Sequence, residues 1–171
     1  MDPHSDKTIV ALMLAWGKER ALNYLRQLLR QDLHLRSGHA LGAQLLCAGE
    51  YHLHFELLAH SAADVIHKGC PIRLLSFSPI PAEPAGLAII NGAPHPHAAL
   101  LFYDWMLSRE GSTELANVGR LPTRPGVKPK YAELESLQKS EELSLIMPDN
   151  APEMEEAIKF IEEVIMKAGV P

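Results

Sequence analysis

The stretch 51–77, YHLHFELLAHSAADVIHKGCPIRLLSF, decides the fold that the sequence predicts. Residues 51–57 alternate in side-chain character and include aromatic residues, a pattern typical of a strand. Residues 59–68 predict a short helix that ends at Gly69, and residues 71–77 are nearly all apolar, as in a strand covered on both faces. Strand, helix and strand at this spacing predict a βαβ unit and place the chain in the α/β class.

The segment before this stretch is predicted to be helical. Apolar residues recur with helical spacing over residues 6–30, and Gly17 divides them into two helices. A third helix is expected to begin at Ser37, the best N-cap candidate. It is expected to end at Gly49, because glycine readily adopts the left-handed conformation that terminates helices.

The segment after the stretch alternates between proline-rich passages and regular elements. Residues 78–85 contain three prolines, so they predict an extended connector, and residues 86–90 predict a third strand. Two helices are expected, over residues 98–107 and about 111–117. Residues 119–130 are again rich in proline and predict no regular structure.

The last predicted helix begins at Asn150, where Asn150 and Glu153 have the spacing of a capping box. Its apolar residues share one stripe and precede Gly169, a natural helix end. The residues of this stripe are Met154, Ile158, Ile161 and Ile165.

Length and composition limit the classes of protein to which the chain can belong. Its 171 residues are enough for one well-buried core, and 47% of them are hydrophobic. The formal net charge of -5 and the lack of a basic patch argue against a nucleic-acid partner. No apolar stretch approaches the roughly 20 residues that span a bilayer. The residues from Met1 onward lack the features of a secretion signal.

The motifs of common enzymes are missing from the sequence, which favours binding over catalysis. There is no Gly-x-Ser-x-Gly nucleophile elbow and no glycine-rich nucleotide loop. Two histidine pairs, His52 with His54 and His95 with His97, supply too few ligands for a closed metal site. No metal and no cofactor is therefore expected, and a metal-dependent hydrolase built on these histidines is the weakest hypothesis.

The two cysteines, Cys47 and Cys70, lack the spacing of a metal site. Their apolar surroundings favour buried thiols, and a disulfide between them stays open as the alternative.

One local feature points to a ligand site. Ser37, Gly38 and His39 lie at a predicted helix start, where backbone N–H groups and the positive end of the helix dipole attract anions or carboxylates. Ordinary helix capping is the alternative interpretation of the same residues.

Several segments together resemble a known family. They are GHALGAQLLCAGEY (38–51), GCP (69–71), NGAPHPHAALLFYDWMLSREG (91–111) and GRLPTR (119–124). These segments resemble the extracellular solute-binding proteins of bacterial ABC importers, most closely the ferric-iron-type branch. The match runs from about residue 10 to 127, and the segment 91–111 is its most specific part.

The resemblance implies a type II periplasmic-binding-protein fold, in which two α/β lobes close on a solute and dock on a membrane permease. This chain is similar to the C-terminal half alone, with the first lobe and export signal expected upstream of Met1. Residues 1–77 would be a second-lobe segment, and residues 78–127 the crossover connector with a strand and helices packing toward the first lobe. Residues 128–171 would be a C-terminal helical tail. The implied location is periplasmic or extracellular, without membrane insertion.

The resemblance also implies a ligand site in this sequence. In the iron-binding branch, two adjacent tyrosines shortly after a Gly-Glu dipeptide bind ferric ion, whereas the corresponding stretch here, 58–60, contains no tyrosine. Ferric binding by that mechanism is therefore not expected. The ligand-binding positions that the resemblance implies are Ser37 and Gly38 with His39 at the helix start, His60 near the former tyrosine site, and Glu83 in the connector.

These observations lead to two main hypotheses besides the hydrolase. The first is the binding subunit of an importer, or a fragment of one, that takes a small polar or anionic solute or a metal complex without catalysis. The second is an interaction module, a lobe that has lost its cleft and acts as a dimer. Both include a homodimer or higher assembly, because an isolated half should expose apolar faces that its missing elements would cover.

Overall fold

The computed structural model describes residues 6–31 and 33–165 of the chain. Their α-helices are α1 (Asp6–Trp16), α2 (Lys18–Leu28), α3 (His39–Ala48), α4 (Ala59–His67), α5 (Pro96–Leu107), α6 (Arg109–Asn117), α7 (Ala132–Gln138) and α8 (Ala151–Phe160). The strands are β1 (Ile80–Ala82) and β2 (Leu143–Leu145), and α8 is flanked by a 3-10 turn (Pro148–Asn150) and a π-helical turn (Ile161–Ile165).

The two strands form a small parallel sheet in which Ile80 is level with Leu143 and Ala82 with Leu145. Pro81 sits inside β1 although it lacks an N–H donor. Proline is tolerated there because each strand of a two-stranded sheet is an edge strand with one unpaired side. The connector predicted over residues 78–85 therefore contributes one short strand. The chain is helix-rich with this small parallel sheet, and the α/β prediction is confirmed in that coarse sense.

The three strands predicted from sequence are wrong. Residues 51–57, 71–77 and 86–90 have no strand structure, so the βαβ unit does not form. Phe77 is 75% exposed and Ile90 is 80% exposed, which is incompatible with strands covered on both faces. A strand needs a neighbour to pair its backbone N–H and C=O groups, and an apolar run supplies no such partner.

The helical predictions before residue 70 are confirmed. Gly17 separates α1 from α2 with a φ of 81°, a conformation that other residues adopt at a cost. Gly49 follows α3 in the left-handed conformation, and Gly69 follows α4 with a φ of 94°. At Gly49 the left-handed conformation lets the backbone N–H return to the Leu45 and Leu46 carbonyls at the end of α3. Gly17 instead has a ψ of 149° and directly precedes α2.

The chain divides into two compact units. The larger unit contains the described residues up to Glu83 together with those from Glu141 onward, and the smaller unit is Pro84–Ser140. The division of the sequence at residues 77 and 127 stays a prediction.

The core of the larger unit forms around α1. Its residues from Thr8 to Met13 are all buried, as expected for a helix that is covered on every side. It packs against α2, α8 and the sheet. Each fully buried aliphatic side chain, such as Ile9, contributes about 1.5–3 kcal/mol relative to an exposed one.

The predicted start of α8 is correct. The predicted capping box is absent, and one residue of the predicted apolar stripe is exposed. Asn150 precedes the helix without a side-chain capping bond, and its Oδ1 instead accepts a hydrogen bond from the Met147 N–H at 3.0 Å. The predicted capping box is therefore wrong. Ile161 and Ile165 are buried as expected, whereas Ile158 is exposed. Gly169 lies outside the described residues.

The smaller unit contains α5, α6 and α7. Helix α5 begins at Pro96 and α6 at Arg109, close to the predicted helices, while α7 was not predicted. Ser108 joins α5 to α6. Its Oγ accepts the Gly111 N–H at 3.1 Å and donates to the Trp105 carbonyl at 2.6 Å. Residues 119–130 contain only a turn, so the prediction of no regular structure is confirmed.

Candidate functional site

The residues of the predicted ligand site lie at the start of α3 in the larger unit, and the capping of this helix differs from the prediction. Gly38, not Ser37, is the residue directly before the helix, and its φ of 96° requires glycine. Ser37 is exposed. The prediction of Ser37 as the N-cap is therefore wrong. Glycine caps without a side chain, so no side-chain oxygen at the cap accepts the first N–H groups of α3.

His39 is the first residue of α3 and carries an unusual polar atom. Its Nδ1 is buried and has no hydrogen-bond partner among the described residues. A buried polar atom without a partner costs about 1–3 kcal/mol, so it calls for a physical explanation. Because this atom is closed to solvent, the His39 side chain must rotate before a solute can form a hydrogen bond with it.

The loop after α3 folds back over the same helix. The Tyr51 hydroxyl donates to the Gly42 carbonyl at 2.7 Å, and the rings of Tyr51 and His54 lie 5.8 Å apart. Gly42 is three residues after His39 and so shares its face of α3. A Cβ at Gly42 would lie 2.8 Å from His54 Cδ2, which is too close. Glycine here lets the loop approach the helix that carries His39.

The electrostatics of this loop involve Tyr51 and Arg36. Burial raises the pKa of the Tyr51 phenol, and the nearby Arg36 charge partly opposes this by lowering it. The phenol is therefore neutral at physiological pH and remains a hydrogen-bond donor. Arg36 lies two residues before Gly38, so a positive charge and a helix N-terminus belong to one short segment.

Tyr51→Phe is expected to change the alkaline stability of the larger unit. Because the folded-state pKa lies above the ordinary value of 10.0, the neutral phenol stabilises the fold fully below pH 10. This stabilisation is lost as pH rises through the folded-state pKa. The variant should therefore lose about 0.5–1.5 kcal/mol at pH 7 and show a smaller further loss above pH 10. Urea unfolding by circular dichroism from pH 7 to 11 measures both effects, and an unchanged alkaline loss would contradict them.

The other two predicted site residues lie on different elements. His60 is the second residue of α4 and is half-buried. Glu83 directly follows β1, and its Oε2 is 3.8 Å from the Lys7 Nζ of α1. Ser37, Gly38 and His39 are thus brought together by chain continuity, whereas Glu83 is engaged with α1.

The cysteines form a disulfide, so the interpretation as buried thiols is wrong. Cys47 in the last turn of α3 is bonded to Cys70, 23 residues later, with a Cα–Cα distance of 5.5 Å. The Cys70 N–H also donates to the Val65 carbonyl of α4 at 3.0 Å. The ends of α3 and α4 are therefore held together, which fixes the helix that presents His39.

Sequence reasoning missed four residues of this site: Arg36, Gly42, Tyr51 and His54. One signal was available, because a glycine inside a helical pattern often marks the close approach of another segment. The assignment of residues 51–57 to a strand concealed it.

In the part of the chain that the structure describes, no three His, Cys, Asp or Glu side chains are grouped so that they could hold a metal ion. Every helix within residues 6–31 and 33–165 is too short or too polar to span a bilayer. Comparisons with protein-family models, with curated proteins and with solved structures gave no match to this chain.

Proposed function

We propose that this chain is the solute-binding component, or a fragment of one, of an ABC-type import system. It binds a small polar or anionic solute, or a metal complex, and delivers it to a membrane permease without transforming it. We take its fold to be an incomplete lobe of a type II periplasmic binding protein, with a two-stranded parallel sheet in place of the expected βαβ unit. The support from sequence is the set of segments 38–51, 69–71, 91–111 and 119–124, of which the first includes the α3 start.

The observation that carries the proposal is the buried His39 Nδ1 without a hydrogen-bond partner. His39 is one of the ligand positions that the sequence predicts, and it begins a helix whose first N–H groups have no intrahelical partner. Arg36 adds a positive charge nearby in the chain. A carboxylate or phosphate oxygen is the group that such donors bind best.

The disulfide supports the proposed location. Disulfides form and persist in secreted and periplasmic proteins and are rare in reducing compartments. The Cys47–Cys70 bond therefore favours a periplasmic or extracellular protein over a cytosolic one. This is also the compartment in which an importer collects its solute.

The test is calorimetric titration of the full chain with inorganic phosphate, sulfate and citrate, with glucose as a neutral comparison. At least one anion is expected to bind, and glucose is not. His39→Leu should weaken anion binding at least tenfold while the free energy of unfolding stays equal or rises, because the variant removes the unpaired buried atom. If His39 had only a structural role, His39→Leu would leave anion binding unchanged and lower the free energy of unfolding.

His52→Leu is the matched control, since His52 lies in the loop after α3 and is exposed. It should bind the anion as the unchanged protein does. Equal losses in the two variants, or no binding of any of the three anions, would overturn the proposal.

The second candidate is the cleft-less dimeric interaction module. It is favoured by a specific observation in the smaller unit, where helix α5 has no buried residue. The two candidates differ in their response to the titration, because an interaction module has no need of a small-molecule ligand.

A further inference from the structure

Helix α5 has a composition that conflicts with its exposure. Its sequence, PHAALLFYDWML, contains no lysine or arginine and is apolar on nearly all sides, yet none of its residues is buried. A helix of this kind is normally covered on all sides. Some of its surface is therefore available to a partner.

The two sides of α5 differ in a regular way. Ala99, Tyr103 and Met106 are half-buried and share one side at helical spacing. The opposite side carries His97, Leu100, Leu101 and Asp104, which have the i, i+3, i+4, i+7 spacing of a single stripe and are all exposed. These four residues are called the α5 stripe below.

The α5 stripe is complementary to itself. When two copies of the helix pair antiparallel about a two-fold axis between Leu100 and Leu101, Leu100 lies against the partner's Leu101. His97 then lies level with the partner's Asp104, and the same pairing repeats at the other end of the helix. An imidazole N–H can donate to a carboxylate at both ends. A parallel pairing would instead place like groups together.

The exposed area indicates how strong such a pairing can be. Leu100, Leu101 and Leu107, which continues the stripe seven residues after Leu100, are each half exposed or more. Together they offer roughly 300 Å² of apolar surface per copy, less than half of the ~800 Å² that each partner of a standard interface buries. We therefore expect a weak dimer.

We infer that the α5 stripe is the interface of a homodimer in which two copies of α5 pair antiparallel through Leu100 and Leu101, flanked by His97–Asp104 contacts. This inference is independent of the solute site, which lies in the other unit. It predicts both the residues and the direction of the pairing.

The experiment is sedimentation equilibrium of the full chain from 1 to 500 µM. The unchanged protein should shift from monomer to dimer across this range, and Leu101→Glu should remain monomeric. Leu53→Glu is the matched control, because Leu53 is 71% exposed and Leu101 is 72% exposed. The control should dimerise as the unchanged protein does, which shows that an added exposed charge alone has no effect.

The direction of pairing is tested by Asp104→Asn. It should weaken the antiparallel dimer about tenfold because both His97–Asp104 contacts lose their carboxylate, whereas in a parallel dimer it would remove the repulsion between two Asp104 carboxylates and strengthen the pairing. A monomer at every concentration, or a dimer that survives Leu101→Glu, would overturn the inference. A tighter dimer in Asp104→Asn than in the unchanged protein would overturn the antiparallel arrangement.

Discussion

Gly111→Ala is expected to lower the free energy of unfolding of the smaller unit by about 2–4 kcal/mol. A Cβ at Gly111 would collide with the Trp105 carbonyl oxygen and lie 2.8 Å from Met106 Cα. Both are backbone atoms of α5 and cannot rotate away as a side chain would. The helices must separate, which also strains the Ser108 cap between them.

The measurement is urea unfolding followed by the fluorescence of Trp105. The chain has two tryptophans, and Trp105 belongs to the smaller unit while Trp16 belongs to the larger. A Trp16→Phe background therefore reports on the smaller unit alone. Gly86→Ala is the control, because a Cβ there would meet nothing within 4 Å, and its effect should stay within about 0.5 kcal/mol. Similar effects of the two substitutions would contradict the clash.

Removal of the disulfide is expected to destabilise the larger unit by about 3 kcal/mol. The bond joins residues 23 positions apart, so its loss frees a loop of that length in the unfolded chain. The change is the double substitution Cys47→Ser with Cys70→Ser. Unfolding is followed by Trp16 fluorescence in a Trp105→Phe background.

Reduction with dithiothreitol provides the matched control for this prediction. It should destabilise the protein that retains its cysteines to a similar degree and leave the double variant unchanged. Equal unfolding midpoints with and without the reductant would show that the bond does not form in solution.

The helices of the larger unit could be predicted because their signals are local. Gly17, Gly49 and Gly69 end helices by a backbone conformation that depends on the residue itself. The strands could not be predicted in the same way. Residues 71–77 have the composition of a strand but no partner, while Leu143–Leu145 is a strand because β1, far away in sequence, pairs with it.

The same distinction applies to the candidate site. The start of α3 follows from local signals, and so does the prediction of His39 as a ligand position. The contribution of Tyr51 and His54 depends on a loop folding back onto Gly42, which is a tertiary contact. No pattern within residues 51–57 distinguishes that loop from a strand, because alternation describes side chains and says nothing about where the backbone finds its hydrogen bonds.

The packing of α1 against α8 has a consequence for how the protein is made. The ribosome releases α1 before the whole of the smaller unit, and it releases α8, which packs on α1, only after that unit. Throughout that interval the nascent chain exposes the apolar side of α1 that α8 covers in the folded protein. Completion of this core therefore waits for a segment that follows the smaller unit in sequence, and a chaperone that holds α1 during translation should raise the yield of native protein.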